Sequence, residues 1–341
     1  MRFALAVVLL AGALFGMRTE AALAVDVLRS VGGLPPHIVG LFEEPLAFQR
    51  TPDGLYYVFD RRGHSVYQID ADRKAARKIV EIGQELGRII QPRGFDTSAD
   101  GSFVVADSPK NVDRLQMFGA GGIRLRGFNL PARERTAAIT FGSVVMSGIA
   151  SVRYAGPNLL ISHPEGGALF TEYRRSGFPV RSIGRLRDTG HEQDHDLHLA
   201  LNVGFPIVDP TGGFYFVFAG GRPIFRKYDG DGRLLFERHV EGTELDDYVG
   251  SLPTRWPTRR TADGELPLVL PAIRAAAVDA TGQLWISLTE PYTYVYDAHG
   301  DKVRTVQFSA AGIVSPTNLF FTPNGRLLVT PGCYEFDPTA G

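Results

Sequence analysis

The chain has one cysteine, Cys333, and almost no net charge: 36 Lys and Arg stand against 37 Asp and Glu in 341 residues. A lone cysteine makes no internal disulfide and no cysteine-built zinc site. The charge balance lacks the basic excess of a nucleic-acid binder. Beyond residue 15 no stretch is apolar over the roughly 20 residues that a membrane-spanning helix needs. Long helical patterns are missing, as are a nucleophile elbow, a phosphate loop and a dinucleotide fingerprint. The apolar fraction of 44% excludes wholesale disorder.

The N-terminus has the layout of a secretory leader. Arg2 precedes an apolar run from Phe3 to Phe15, and Ala22-Leu23-Ala24 supplies a small-residue cleavage site. Cleavage after Ala24 leaves residues 25–341 as the expected single domain, exported to the periplasm or outside the cell. No cysteine follows the apolar run, so no lipoprotein anchor is expected. In that setting Cys333 reads as a small buried residue.

Internal repetition is the strongest signal. Six times a turn ending in glycine precedes a short apolar run: LYYVF, SFVVA, NLLIS, FYFVF, QLWIS and RLLVT. The glycines are Gly54, Gly101, Gly156, Gly213, Gly282 and Gly325. Second short runs follow, such as Tyr67 to Asp70 and Tyr294 to Asp297, and two lead into Asp/Gly turns. Runs rich in Val, Ile, Phe and Tyr between turn residues read as strands and hairpins. Runs that are apolar throughout predict strands covered on both faces. Four strands per unit at this spacing is propeller language.

The sixth unit has room for only three strands before Asp337. The segment Val27 to Leu34 (VLRSVGGL) matches the fourth strand of the third unit, PVRSIGRL. The expected fold is therefore all-β: a six-bladed propeller of four-stranded blades, closed by the N-terminal strand pairing around Cys333 to Phe336.

The second unit, Pro92 to Gly122, reads PRGFDTSADGSFVVADSPKNVDRLQMFGAGG. It resembles an NHL repeat: Pro-x-Gly-apolar, a turn ending in Gly, an apolar run ending Ala-Asp, then Arg-Leu-Gln-x-Phe and a glycine turn. The resemblance is fainter in the other units and extends from Val25 to Asp337. It implies a six-bladed propeller of the NHL-like or TolB-like kind and no single activity. Glu44-Pro45 ahead of LYYVFD is similar to the opening of the gluconolactonase and senescence-marker hydrolases. That likeness implies a divalent metal in the central channel, held by a Glu, two Asn and an Asp. Glu44 matches, but Arg93 and Ser147 stand where the two Asn would fall, and a hard cation wants several oxygen ligands.

Propeller loops sort onto two faces. The links Asn129 to Met146, Arg185 to Val203 and Glu241 to Pro271 are long and should share one face, around the channel mouth. Loops on that face offer Arg61, Arg62 and His64, then His163 and Glu165, Arg222, and Glu290 with Tyr292. Glu44 and Arg93 belong near the channel itself. This mixture suits a polar ligand with anionic groups, or a protein surface. Trp256, flanked by Arg255 and Arg259, is either an interface anchor or a ring folded back onto the propeller.

The loop His191-Glu192-Gln193-Asp194-His195 fits the zincin spacing H-E-x-x-H. Its flanks, Gly190 and a polar run through His198, do not form an amphipathic helix. A solvated acidic loop is expected, with no zinc. The functional expectation is a binding or scaffold module for a protein, peptide or glycan, with no cofactor. The alternative is a metal-assisted lyase or hydrolase working at the same channel mouth. The chain is expected to be a monomer.

Overall fold

The computed structural model describes residues 24–131, 138–141, 144–261 and 264–340. Of the expected leader, residues 1–24, all but Ala24 lies outside the described residues. No helix among the described residues is long and apolar enough to cross a membrane.

Four antiparallel meanders of four strands correspond to the first four sequence units. They run Pro45–Arg50 to Ala76–Val80, Gly94–Thr97 to Arg124–Asn129, Ser151–Ala155 to Pro179–Arg185, and Gly204–Val208 to Leu234–His239. The remaining two units lie in one eight-stranded sheet. First strands of successive units touch in turn, and Asn318–Phe321 touches Pro45–Arg50, which returns the cycle to its start. The arrangement is propeller-like.

The apolar runs became the second strands, and their burial explains their composition. Tyr56–Asp60, Phe103–Asp107, Phe214–Phe218 and Leu284–Leu288 are buried at every position. Sheets pack against both of their faces, so neither face can be polar. Aromatic rings fill the wedges between units, as where Phe59 stacks on Phe95 with centroids 5.4 Å apart. Each such ring buried contributes roughly 1.5–3 kcal/mol. Cys333 is fully buried, and burial pushes its thiol far above the ordinary range.

The N-terminal strand joins the sixth unit as expected, but the expected antiparallel pairing of Val27 to Val31 with Cys333 to Phe336 holds only in part. Only Ser30 to Gly33 runs antiparallel to Tyr334–Phe336. Val25 to Arg29 instead lies parallel to Thr305–Ser309 of the fifth unit. One strand thus fuses the fifth and sixth units into the eight-stranded sheet. Gly33 permits the closest approach: at φ +148 an added Cβ would sit 2.5 Å from the Cys333 carbonyl oxygen.

The links are more structured than loops. Numbered by the unit it follows, the second link holds the strands Ala138–Phe141 and Val144–Ser147, and the fourth holds Thr258–Thr261 and Gly264–Val269; all four make one mixed sheet. The polar run after Gly190 also departs from the expected solvated loop. Asp194 accepts the Leu197 N–H at 3.1 Å and caps a short helix, His195–Ala200. Leu197, Leu199 and Ala200 face inward and are buried with Val203, Ala219 and Val269. Short helices also form at Pro36–Val39 and Asp246–Gly250.

Candidate functional site

The first strands end at two cavities. At the end nearer the turn glycines, Arg50, Thr51, Ser98, Pro210, Ala280 and Thr322 line a space of about 380 Å³. At the other end a cavity of about 320 Å³ opens where the links return, with Ala150, Val203 and Pro271 in its wall. The helix of the third link touches both the Ala138–Phe141 strand and the Gly264–Val269 strand. The described parts of the three long links therefore touch one another, and the ends of two of them, Val203 and Pro271, line this second cavity.

Its floor is apolar, with Leu46, Phe59, Phe95, Val152, Phe205 and Ile273. Its charged groups are Glu44, Arg61, Arg93, Arg153 and Arg274. Glu44 and Arg61 form a two-pronged ion pair, with Arg61 Nε 3.1 Å from Glu44 Oε2 and Nη2 donating to Oε1. The buried carboxylate of Asp60 sets this corner by accepting the N–H groups of Glu43 at 2.9 Å, Glu44 at 2.8 Å and Gly63 at 3.1 Å.

Arg93 precedes the first strand of the second unit. Its N–H donates to the Ala106 carbonyl at 2.8 Å, and its Nε donates to Ser108 Oγ at 3.3 Å. Ser108 in turn donates to Asp113 at 2.9 Å. Burial pulls the Arg93 guanidinium below its ordinary pKa, against the opposing field of Asp113. Arg153 comes from the third unit and sits 3.3 Å from Asp96, a buried carboxylate that also accepts from the Tyr154 N–H at 2.7 Å.

Of the candidates read from sequence, Glu44, Arg61 and Arg93 reach this cavity. Arg62 is exposed and faces Glu43 at 3.7 Å. His64 occupies a turn at φ 45, outside the lining. His163 is buried beside Asp113, with its Nε2 3.7 Å from the carboxylate, and Glu165 follows in a short 3-10 turn. Glu290 and Tyr292 lie in the turn before Thr293–Tyr296, where Tyr292 packs on the core between the fourth and fifth units. Arg222 and Trp256 share a separate cavity of about 260 Å³ with His191. Trp256 is half-buried, with its ring packed back against the Leu197 and Val203 cluster.

Sequence reasoning missed Arg153 and Arg274. The available signal was a lone arginine inside an otherwise apolar first strand. Ser147 ends a strand of the link sheet, Val144–Ser147.

The H-E-x-x-H residues do not share one helix: His191 and Glu192 precede the Asp194 cap. Glu192 accepts the N–H groups of Thr189 at 2.7 Å and Gly190 at 3.0 Å, which hold its carboxyl below the ordinary range. His198 Nδ1 is 2.8 Å from Thr189 Oγ1. Among the described residues no three His, Cys, Asp or Glu side chains are grouped to hold a metal ion.

No protein-family profile matches the chain, and no curated protein matches it. Solved structures do match. A streptogramin B lyase structure aligns at 10% identity and TM-score 0.51, over 86% of this chain and 92% of that one. Virginiamycin B lyase from Staphylococcus aureus aligns at 11% and 0.51, over 84% and 77%. Hydrazine synthase of Kuenenia stuttgartiensis aligns at 13% and 0.51, over 88% and 97%. Likeness at this identity is a likeness of fold, and the fold is a β-propeller.

Proposed function

We propose that this chain is an exported, NHL-like propeller whose work is binding, with a protein, peptide or glycan seated at the cavity on its insertion-bearing face. The blade count in this reading is six, the eight-stranded sheet being two blades joined along Val25 to Arg29. The leader-like N-terminus supports a periplasmic or extracellular address, and we take the protein as a monomer without a cofactor.

One observation carries the reading. A cavity of about 320 Å³, with an apolar floor and a few fixed polar groups, opens where the structured links meet. Concave, mostly apolar sites with sparse polar anchors are the usual form of ligand pockets. The alternative reading, a metal-assisted lyase or hydrolase at this mouth, calls for several convergent oxygen donors. Among the described residues Glu44 is the only acidic side chain in the lining, and Arg61 already engages it.

Peptide and glycan arrays probed with the purified protein and with Arg93→Ala test this. Ligands retained by the native protein should lose roughly tenfold or more in affinity with the variant, the scale of a hydrogen bond to a charged group. Retention of every ligand by Arg93→Ala, or their displacement by substitutions around Ala280 at the opposite mouth, would overturn the reading.

A further inference from the structure

We infer that the cavity between the links takes an organic anion: a carboxylate or similar oxyanion carried on an apolar body. This rests on the binding reading above and names the class of ligand. The chain as a whole is balanced in charge. The cavity is not, since four arginines and one glutamate line it. A concave, low-dielectric wall with an excess of one sign concentrates oppositely charged ligands.

The arginines differ in what already holds them. Glu44 engages Arg61, and Asp96 engages Arg153. The Arg274 side chain is exposed and makes no hydrogen bond or ion pair with any described residue. Its placement is built into the backbone. The strand Ile273–Val278 is exposed at Arg274 while Ile273 and Ala275 to Ala277 are buried. Pairing with Leu284–Leu288 skips a residue between Ile273 and Ala275, so Arg274 is the extra residue of a bulge. Bulges re-aim side chains and collect beside functional sites. The first strand of the first unit also skips, at Leu46, which lines the same cavity. First strands of the second, third and fourth units pair without a skip. Both irregular strands thus deliver a residue to one cavity.

A guanidinium fork fits a carboxylate with two parallel hydrogen bonds. The apolar floor, Phe59, Phe95, Phe205 and Ile273 among it, suits an aliphatic or aromatic body better than a bare inorganic ion or a sugar.

Calorimetric titration of the full protein with N-acetylphenylalanine, its uncharged amide, acetate, and a glucuronate-containing disaccharide tests the inference. N-acetylphenylalanine should bind, with the amide and acetate each at least roughly tenfold weaker. Arg274→Gln should weaken the acid by roughly tenfold, leave the amide unchanged, and melt like the native protein. A short peptide ending in a free phenylalanine carboxylate separates the sources. Tighter binding than the small acid assigns a peptide terminus, and equal binding assigns a free acid; both uphold the class.

The inference fails if the amide matches the acid, if Arg274→Gln binds the acid normally, or if no member of the set binds. Preference for the glucuronate disaccharide, lost in Arg93→Ala, would overturn the class and keep the binding site. A ligand indifferent to both Arg93→Ala and Arg274→Gln would remove the site as well.

Discussion

The Arg187 guanidinium lies over the Phe218 ring, 4.4 Å from its centroid. Its nitrogens donate to the carbonyls of Leu201 at 2.7 Å, Gly220 at 2.6 Å and Arg222 at 2.8 Å. Burial pulls its pKa down to about 10. The charge is held by carbonyls and a ring face, with no carboxylate in contact among the described residues. One side chain thereby ties the third link to the turn after Phe218, in the wall of the Trp256 cavity.

Replacing Arg187 by Met should therefore cost about 2–3 kcal/mol, because buried acceptors lose a charged donor. Arg187→Lys should restore little, since a point charge cannot reproduce the fork. Urea midpoints measure both, and a Met variant with the native midpoint would contradict the arrangement.

Removing residues 25–33 should lower the melting temperature severely, because the deletion opens the seam between the fifth and sixth units. Gly33→Ala should cost about 1–3 kcal/mol through strained backbone and the Cys333 contact. Equal melting of intact and shortened protein would show that the seam contributes nothing.

Glu44→Gln should change stability by less than about 1 kcal/mol, since the Arg61 pair is partly exposed. It should also release Arg61 and strengthen binding of anions in the cavity. Titration of the variant with N-acetylphenylalanine reads the effect; weaker binding would mean that Glu44 orders the cavity more than it neutralises it.

Asp100 supplies a pH dependence. Hydrogen bonds from Ser102 and Arg175 hold its carboxyl down to about 2, from an ordinary 3.8. A depressed folded pKa gives stability that is present above the unfolded value and is lost as pH falls toward the folded one. The stability gap between native and Asp100→Asn should be constant above about pH 5 and close progressively toward about pH 2. Because Asp100 is largely exposed, the gap should stay below about 1 kcal/mol. A gap that widens on acidification would reverse the assignment.

Much of this architecture was legible because burial on two faces leaves a mark that polar alternation does not. Runs such as FYFVF and LYYVF could only be strands between packed sheets, and the spare VLRSVGGL segment matched a missing edge. The register of that edge was not legible. A parallel pairing with Thr305–Ser309 depends on how the fifth unit is oriented, which no local pattern encodes. In the cavity, Glu44 and Arg93 stood out because they flank first strands. Arg274 did not, since a bulge is a relation between two strands and IRAAAV alone does not reveal which residue is the extra one. The third link misled for a different reason. Its histidines drew attention from Asp194, whose cap lets Leu197, Leu199 and Ala200 turn inward.

The seam along the N-terminal strand also sets an order of events. Ser30 meets Glu335 at a sequence separation of 305, and Asp26 meets Arg304 at a separation of 278. Units one to four can form their meanders as each emerges from the ribosome, since their strands pair with near neighbours. The parallel half of the seam has to wait until residue 309 has been made, and the antiparallel half until residue 336. Until its partner is made, each half of Val25 to Gly33 presents unpaired backbone. Contacts of such long range make folding slow, and exposed strand edges invite association with other chains. The interval between synthesis of the first strand and its capture is thus the period in which a folding chaperone would have most to protect.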